Sequence, residues 1–275
     1  MPSPLVRRLA ARILATCGIA VVSVAAGCGT VPETGRSQFN LLSTSDEVVL
    51  GEQAYAEILK DAKVVTSGPD FARVQRVGQR IAQASERRYP GAVEGFGWQF
   101  TLVDSPEVNA WMLPGGKSAV YTGLLAVATS DDELAVVMGH EAAHAIAKHG
   151  AERMSRGVAT QIVFGVASAT GEIDPAIVEA AAIAYGALGE TAFSRGEESE
   201  ADEIGLMIAA DAGFDPRSAV GFWRKMSAVG GEKPPEFLST HPSDESRANR
   251  LAKLMPKAER IYLARTGGAP AGGTP

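Results

Sequence analysis

The stretch "MGHEAAHAIAKHG", residues 138–150, carries three of the chain's four histidines, two of which bracket a glutamate as His-Glu-x-x-His. On a helix, His140 and His144 are four apart and stand about 40° from each other on one face. Two imidazoles so placed can share one tetrahedral zinc ion. Glu141, about 100° round from His140, is placed to hold the attacking water and accept its proton rather than to ligate. His149, about 180° round from His140, cannot reach the same ion and reads as a structural residue or one that supports a ligand from behind. The competing reading is a histidine-bearing amphipathic helix with no metal.

A third ligand decides between them, because a catalytic zinc needs one. The extended form His-Glu-x-x-His-x-x-Gly-x-x-His is excluded, since the chain has Ala147 and Gly150 where glycine and histidine would be required. The other source is "FSRGEESEAD", residues 193–202, which offers Glu197, Glu198 and Glu200, with Asp202 beyond. Glu198 and Asp202 share a helix face, so one can ligate while the other supports a histidine ring. A solvated acidic helix start, favoured by the helix dipole, is the alternative. Spacing alone puts Glu198 only slightly ahead, with Glu197 and Glu200 expected to be exposed in the first turns.

The surroundings are those of an ordinary globular protein: 275 residues, 45% hydrophobic and 21% charged, enough for a sizeable core. Helical periodicity predicts helices near 46–62 and 70–88, separated by "SGPD". Strand-like runs follow at 98–103, 108–113 and 118–122, the last two joined by a "PGGK" hairpin turn. Ser130 and Glu133 form a capping box that starts the helix of the opening motif, and Gly150 is expected to end it. Residues 158–169 and 175–188 are apolar but too short to span a bilayer, and read as buried helices, with a membrane-dipping or substrate-gating hairpin as the alternative. Later helices end at Gly213, begin at Asp215-Pro216 and follow "THPSDESR".

The first residues read as a targeting segment. Arg7, Arg8 and Arg12 precede the short apolar run "ILATCGIAVVSVAA" and then "AAGC", which resembles a bacterial lipobox with Cys28 as the lipidated residue. A plain signal peptide or an uncleaved anchor helix is the alternative. On this reading residues 1–27 are a lipoprotein signal peptide, 28–45 a lipidated tether, 46–262 the catalytic domain and 263–275 a disordered tail. The only cysteines are Cys17 and Cys28, so neither a thiol nucleophile nor a cysteine-rich metal site is expected. Loss of residues 1–27 would leave 23 basic and 32 acidic residues, a net charge of −9. That argues against nucleic acid and leaves membrane attachment to acyl chains. The expected location is therefore periplasm-facing and lipid-anchored, with Gly29 after the cysteine leaning towards the outer membrane.

Ordered motifs along most of this length carry a family resemblance: "TGRSQFNLLS" (34–43), "NAWMLPGGKSAVYTGLL" (109–125), "HEAAH" (140–144), "FSRGEESEADEIG" (193–205) and "STHPSDESR" (239–247). The chain resembles the zinc metallopeptidases of family forty-eight, which include HtpX, the CAAX prenyl protease and LoiP-like periplasmic lipoprotein peptidases. The resemblance implies one zinc ion per chain held by His140, His144 and Glu198, with Glu141 as general base and Asp202 behind a ligand. It implies that Asn109 and Ala110 lie on an edge strand that aligns substrate backbone by strand addition. It also matches His241 and Arg247 to a His-Pro motif and a following arginine, expected to stabilise the oxyanion or to gate the site. The expected fold is α+β, predominantly helical and gluzincin-like, with the active-site helix beside a small antiparallel sheet. The expected function is a zinc endopeptidase acting on extended, poorly folded or misassembled envelope polypeptides. A non-catalytic chaperone or assembly factor is the rival, and the intact Glu141 speaks against it.

Overall fold

The computed structural model describes residues 28–157, 193–229, 236–241 and 245–268. The expected signal peptide and the apolar runs 158–169 and 175–188 lie outside these residues. A strand pair comes first, β1 (Cys28–Thr30) and β2 (Ser37–Phe39), followed by α1 (Thr44–Leu59), β3 (Val64–Val65) and α2 (Pro69–Arg88). Then come β4 (Gln99–Val103), β5 (Ala110–Leu113), β6 (Lys117–Tyr121), α3 (Thr122–Val127) and α4 (Asp131–Ile146). The C-terminal part holds α5 (Arg195–Asp211), α6 (Ser218–Ala228), α7 (Glu236–Thr240) and α8 (Glu245–Thr266). Among the described residues, no helix is long and apolar enough to cross a membrane.

The expected helical α+β class holds, and α4 is its axis. The capping box at Ser130 and Glu133 starts this helix as expected, and every residue from Leu134 to Ile146 is buried. It packs against α2, α5, α6 and β5, with Leu134, Met138 and Ile146 meeting a core that includes Ile81, Leu102, Ile204 and Met207. The helix does not run to Gly150. Lys148 adopts a left-handed φ of 56°, and a new helical segment starts at His149, which turns His149 out of the register that a continuous helix would impose.

The second sheet has the order β3-β4-β6-β5. Its antiparallel character is broken once: β4 and β6 are parallel, because the β5–β6 hairpin folds back and inserts β6 beside β4. Gly115 and Gly116 make that hairpin turn at φ 82° and 77°, a region glycine enters without strain. Asp215 does not cap α6 directly; its carboxylate accepts from the Arg217 amide one turn earlier, and Arg217 is the cap residue.

Residues 28–45 are not a loose tether. Val31 is buried, Glu33 accepts from the Tyr89 hydroxyl and pairs with Arg88 and Lys257, and Arg36 pairs with Glu152 and Glu200. The strand pair is therefore docked on the catalytic helices. Its polar sequence hid this, because the docking is made by ion pairs rather than by an apolar stripe.

The helices α4 and α5 meet backbone to backbone. A Cβ added to Gly205 would lie 2.7 Å from the His140 nitrogen and 2.8 Å from the Gly139 carbonyl carbon and oxygen. Gly205→Ala should therefore force the helices apart, destabilising the fold by roughly 1–3 kcal/mol. Chemical denaturation of the variant checks this; an unchanged midpoint and slope would refute the close crossing.

Candidate metal centre

The crossing at Gly139 and Gly205 sets the face of α4 that carries the motif histidines against the first turns of α5. The Ser194–Glu197 capping box fixes where α5 starts and hence which of its carboxylates face inward. His140, His144, Glu198 and His241 each present one donor atom, all within 4.8 Å of one another and all buried. The His140 and His144 Nε2 atoms are 3.1 Å apart. Glu198 Oε2 lies 3.4 Å from the first and Glu198 Oε1 3.3 Å from the second. Such separations suit ligands of one tetrahedral ion with bonds of about 2.0–2.2 Å.

The electrostatics also fit a cation. Burial opposes a charge on His140, but Glu198 and Asp202 outweigh it and push its pKa up to about 9. Burial drives the neighbouring His144 the other way, well below the usual histidine value. The Glu198 carboxyl is held far below its ordinary range: burial resists this, while the His140 charge and hydrogen bonds from His140, His144 and His241 prevail. Glu141 Oε1 is buried with no hydrogen-bond partner, an arrangement that costs free energy unless an ion or its water meets it. Burial raises the Glu141 pKa, which makes it a better proton acceptor than an exposed glutamate.

Each ring is oriented from behind. His140 Nδ1 lies 3.1 Å from Asp202 Oδ1, so it donates there and leaves Nε2 free to ligate. Arg247 is 1% exposed and pinned between Asp202, 2.6 Å from its Nη2, and the face of Trp223, 3.4 Å away. Arg247 stands behind His140 and its Nη1 also lies 3.4 Å from Glu198 Oε2, so one guanidinium braces both Asp202 and Glu198. His241 stands over the donors, Nδ1 2.9 Å from Glu198 Oε1 and Nε2 3.5 Å from Glu141 Oε1, with Phe237 stacked on its ring.

Glu197 and Glu200 are buried, contrary to their expected exposure. The Glu197 carboxylate caps α5 through the Ser194 amide. Glu200 accepts from His149, Thr34 and Arg36; burial opposes its charge, but these bonds hold its pKa near 2. His149 lies outside the cluster: with α4 broken at Lys148 its ring sits behind His144, Nδ1 2.9 Å from His144 Nδ1.

Among the described residues, the expected substrate strand β5 is an edge strand of its sheet. The Asn109 carbonyl accepts from the Tyr121 amide, so by antiparallel alternation the outward backbone groups belong to Ala110 and Met112. Cys28 opens β1 and pairs in register with Phe39. Sequence reading missed Gly139, Gly205, Trp223 and Phe193, whose ring stacks 3.9 Å from that of His144. Two glycines in helices that each carry site residues were the available signal.

Comparison with known proteins agrees with this geometry. A model of peptidase family M48 matches residues 69–255. The mitochondrial metalloendopeptidase OMA1 of Schizosaccharomyces pombe is 33% identical over 234 residues, covering 83% of this chain and 67% of that protein. OMA1 of Arabidopsis thaliana is 40% identical over 172 residues, 62% of this chain and 34% of the relative. The beta-barrel assembly-enhancing protease of Escherichia coli is 26% identical over 282 residues, 94% of this chain and 56% of the relative. The chain thus spans about half the length of several of the relatives it matches. The periplasm-facing, outer-membrane location expected from the N-terminal residues is overturned by these relatives, six of which are named as mitochondrial enzymes. The lipid anchor at Cys28 gains no support from them. Matched over more than half its length, with a buried histidine–glutamate cluster able to hold the ion, the chain belongs to peptidase family M48, the zinc metallopeptidases.

Proposed function

We propose that the chain is an endopeptidase that cleaves extended segments of unfolded or misassembled polypeptides, with zinc held by His140, His144 and Glu198. The observation that carries this reading is Glu141, a buried carboxylate with an unpartnered oxygen beside the four convergent donors of His140, His144, Glu198 and His241. A site for binding alone would not need it. Zinc, when bound there, supplies Lewis acidity and lowers the pKa of a water towards about 7. Glu141 takes the proton of the attacking water and delivers it to the leaving amine. Asp202, held by Arg247, keeps the His140 ring in the tautomer whose Nε2 faces the ion.

His241 has a double part in this proposal. Its hydrogen bond to Glu198 places it over the cluster, so a substrate carbonyl gains access when the ring turns aside. Released from Glu198, the imidazole can donate to the oxyanion of the tetrahedral intermediate. The outward groups of Ala110 and Met112 support substrate alignment by strand addition, which reads backbone rather than a consensus. This recognition suits unfolded chains. The name of the Escherichia coli relative, an assembly-enhancing protease, agrees with a quality-control role.

Glu141→Gln should keep one zinc per chain and lower casein cleavage by about 10²–10⁴-fold, the usual contribution of a general base. Metal analysis by mass spectrometry beside the cleavage assay checks this, and normal turnover by the metal-loaded variant would refute the mechanism. Glu198→Ala should lose the metal together with activity. Glu197→Ala should retain the metal and cost about 0.5–2 kcal/mol through the lost cap. If Glu197→Ala alone releases zinc, the ligand assignment on α5 is wrong.

A further inference from the structure

The two motif histidines are supported in different ways, and the difference points to the N-terminal strand pair. His140 rests directly on the Asp202 carboxylate. His144 rests on another imidazole: its Nδ1 is 2.9 Å from His149 Nδ1, and His149 Nε2 is 2.9 Å from Glu200 Oε2. One assignment of protons satisfies the whole row. With His144 Nε2 facing the other donors, His144 Nδ1–H donates to the lone pair on His149 Nδ1. His149 must then carry its own proton on Nε2, which donates to Glu200. His149 is 0% exposed, so no solvent replaces a lost partner.

The row does not stop at Glu200. The Thr34 hydroxyl donates to Oε1 of that carboxylate, and Arg36 Nε donates to Oε2 at 3.0 Å. The same guanidinium holds Glu152 at 2.8 Å, on the helical segment 149–157 that also carries His149. Thr34 and Arg36 both belong to the connection between β1 and β2, far in sequence from everything else at the metal centre. A carboxylate held this way needs both faces of its partner set, because Glu200 is itself buried and an unpaired buried charge is costly.

We propose that Thr34 and Arg36, acting through Glu200 and His149, position His144, so that zinc affinity depends on the docking of the N-terminal strand pair. These four are positioning residues; none touches substrate. The relay resembles the carboxylate–histidine–metal arrangement with one imidazole inserted, which carries the control of a ligand from α4 out to a surface element. Displacing the strand pair, by a partner or by cleavage between residues 36 and 44, would strip Thr34 and Arg36 from Glu200 and loosen its hold on His149, and through it on His144. The inference rests on the reading of His144 as a ligand.

Zinc dissociation constants measured by competition with a chromophoric chelator test it, together with cobalt(II) absorption spectra and the melting temperature of the metal-free protein. His149→Phe keeps the ring and removes both nitrogens, and should weaken zinc by about 10–100-fold and alter the cobalt spectrum. Glu200→Leu should match it. Glu200→Gln retains an acceptor for His149 and should recover most of the affinity. Arg36→Met, at a partly exposed position, preserves the fold if the buried variants do not, and should weaken zinc several-fold. If these variants bind zinc and cobalt as the unaltered protein does while only their melting temperatures fall, the relay is structural and the proposal is wrong. A failure of the underlying reading looks different: His144→Phe would then leave zinc binding unchanged.

Discussion

The metal centre depends on one close approach, the crossing of α4 and α5 at Gly139 and Gly205. With a Cβ on either residue the backbones would collide at under 3 Å, so the helices could not bring a carboxylate of α5 against imidazoles of α4. The crossing lies one residue before His140, where a small displacement of the axes becomes a displacement of the ligands. Close packing around it leaves no room to absorb such a shift, since the interior has crystal-like density and transmits strain. The core built on Leu134, Met138, Ile204 and Met207 thus serves the site as much as the fold.

Given that crossing, a single turn and a half of α5 supplies three different services. Glu198 points at the donor atoms, Asp202 orients His140 from one side, and Glu200 reaches round to His149 behind His144. Three buried carboxylates so close together would repel strongly without compensation. The compensation is local and specific: Arg247 beside Asp202, Arg36 beside Glu200, and the cationic demand of the cluster itself beside Glu198. Removing one member of such a network leaves an uncompensated buried charge, which costs more than the pair contributed.

Much of this was legible in the sequence because it is written in local patterns. The His-Glu-x-x-His spacing, the capping boxes and the glycine hairpin each depend on residues a few positions apart, and each appears where the pattern puts it. Other features depend on distant residues and left no such mark. Arg36 and Glu200 are far apart in the chain, and a polar strand pair docked by ion pairs reads like a linker. The break of α4 at Lys148 needed a left-handed non-glycine residue, which no propensity foretells, and it is this break that brings His149 behind His144. Burial of Glu200 goes with the contacts that Thr34 and Arg36 make to it, a tertiary fact that overrides the usual exposure of acidic residues in a first turn. The parallel pairing of β4 with β6 likewise follows from how a hairpin folds back, since hydrophobic alternation is the same for either direction.

On the proposed reading, α4 and α5 together build a site for one zinc ion, with His144 ligating through Nε2 because His149 occupies its Nδ1. Anomalous diffraction at the zinc edge from crystals of the zinc-loaded protein tests it most directly. One zinc per chain is expected, bonded to Nε2 of His140 and of His144 at about 2.0–2.1 Å and to a Glu198 oxygen at about 2.0–2.2 Å. A zinc ion bound elsewhere, or one bonded to Nδ1 of His144, would contradict it.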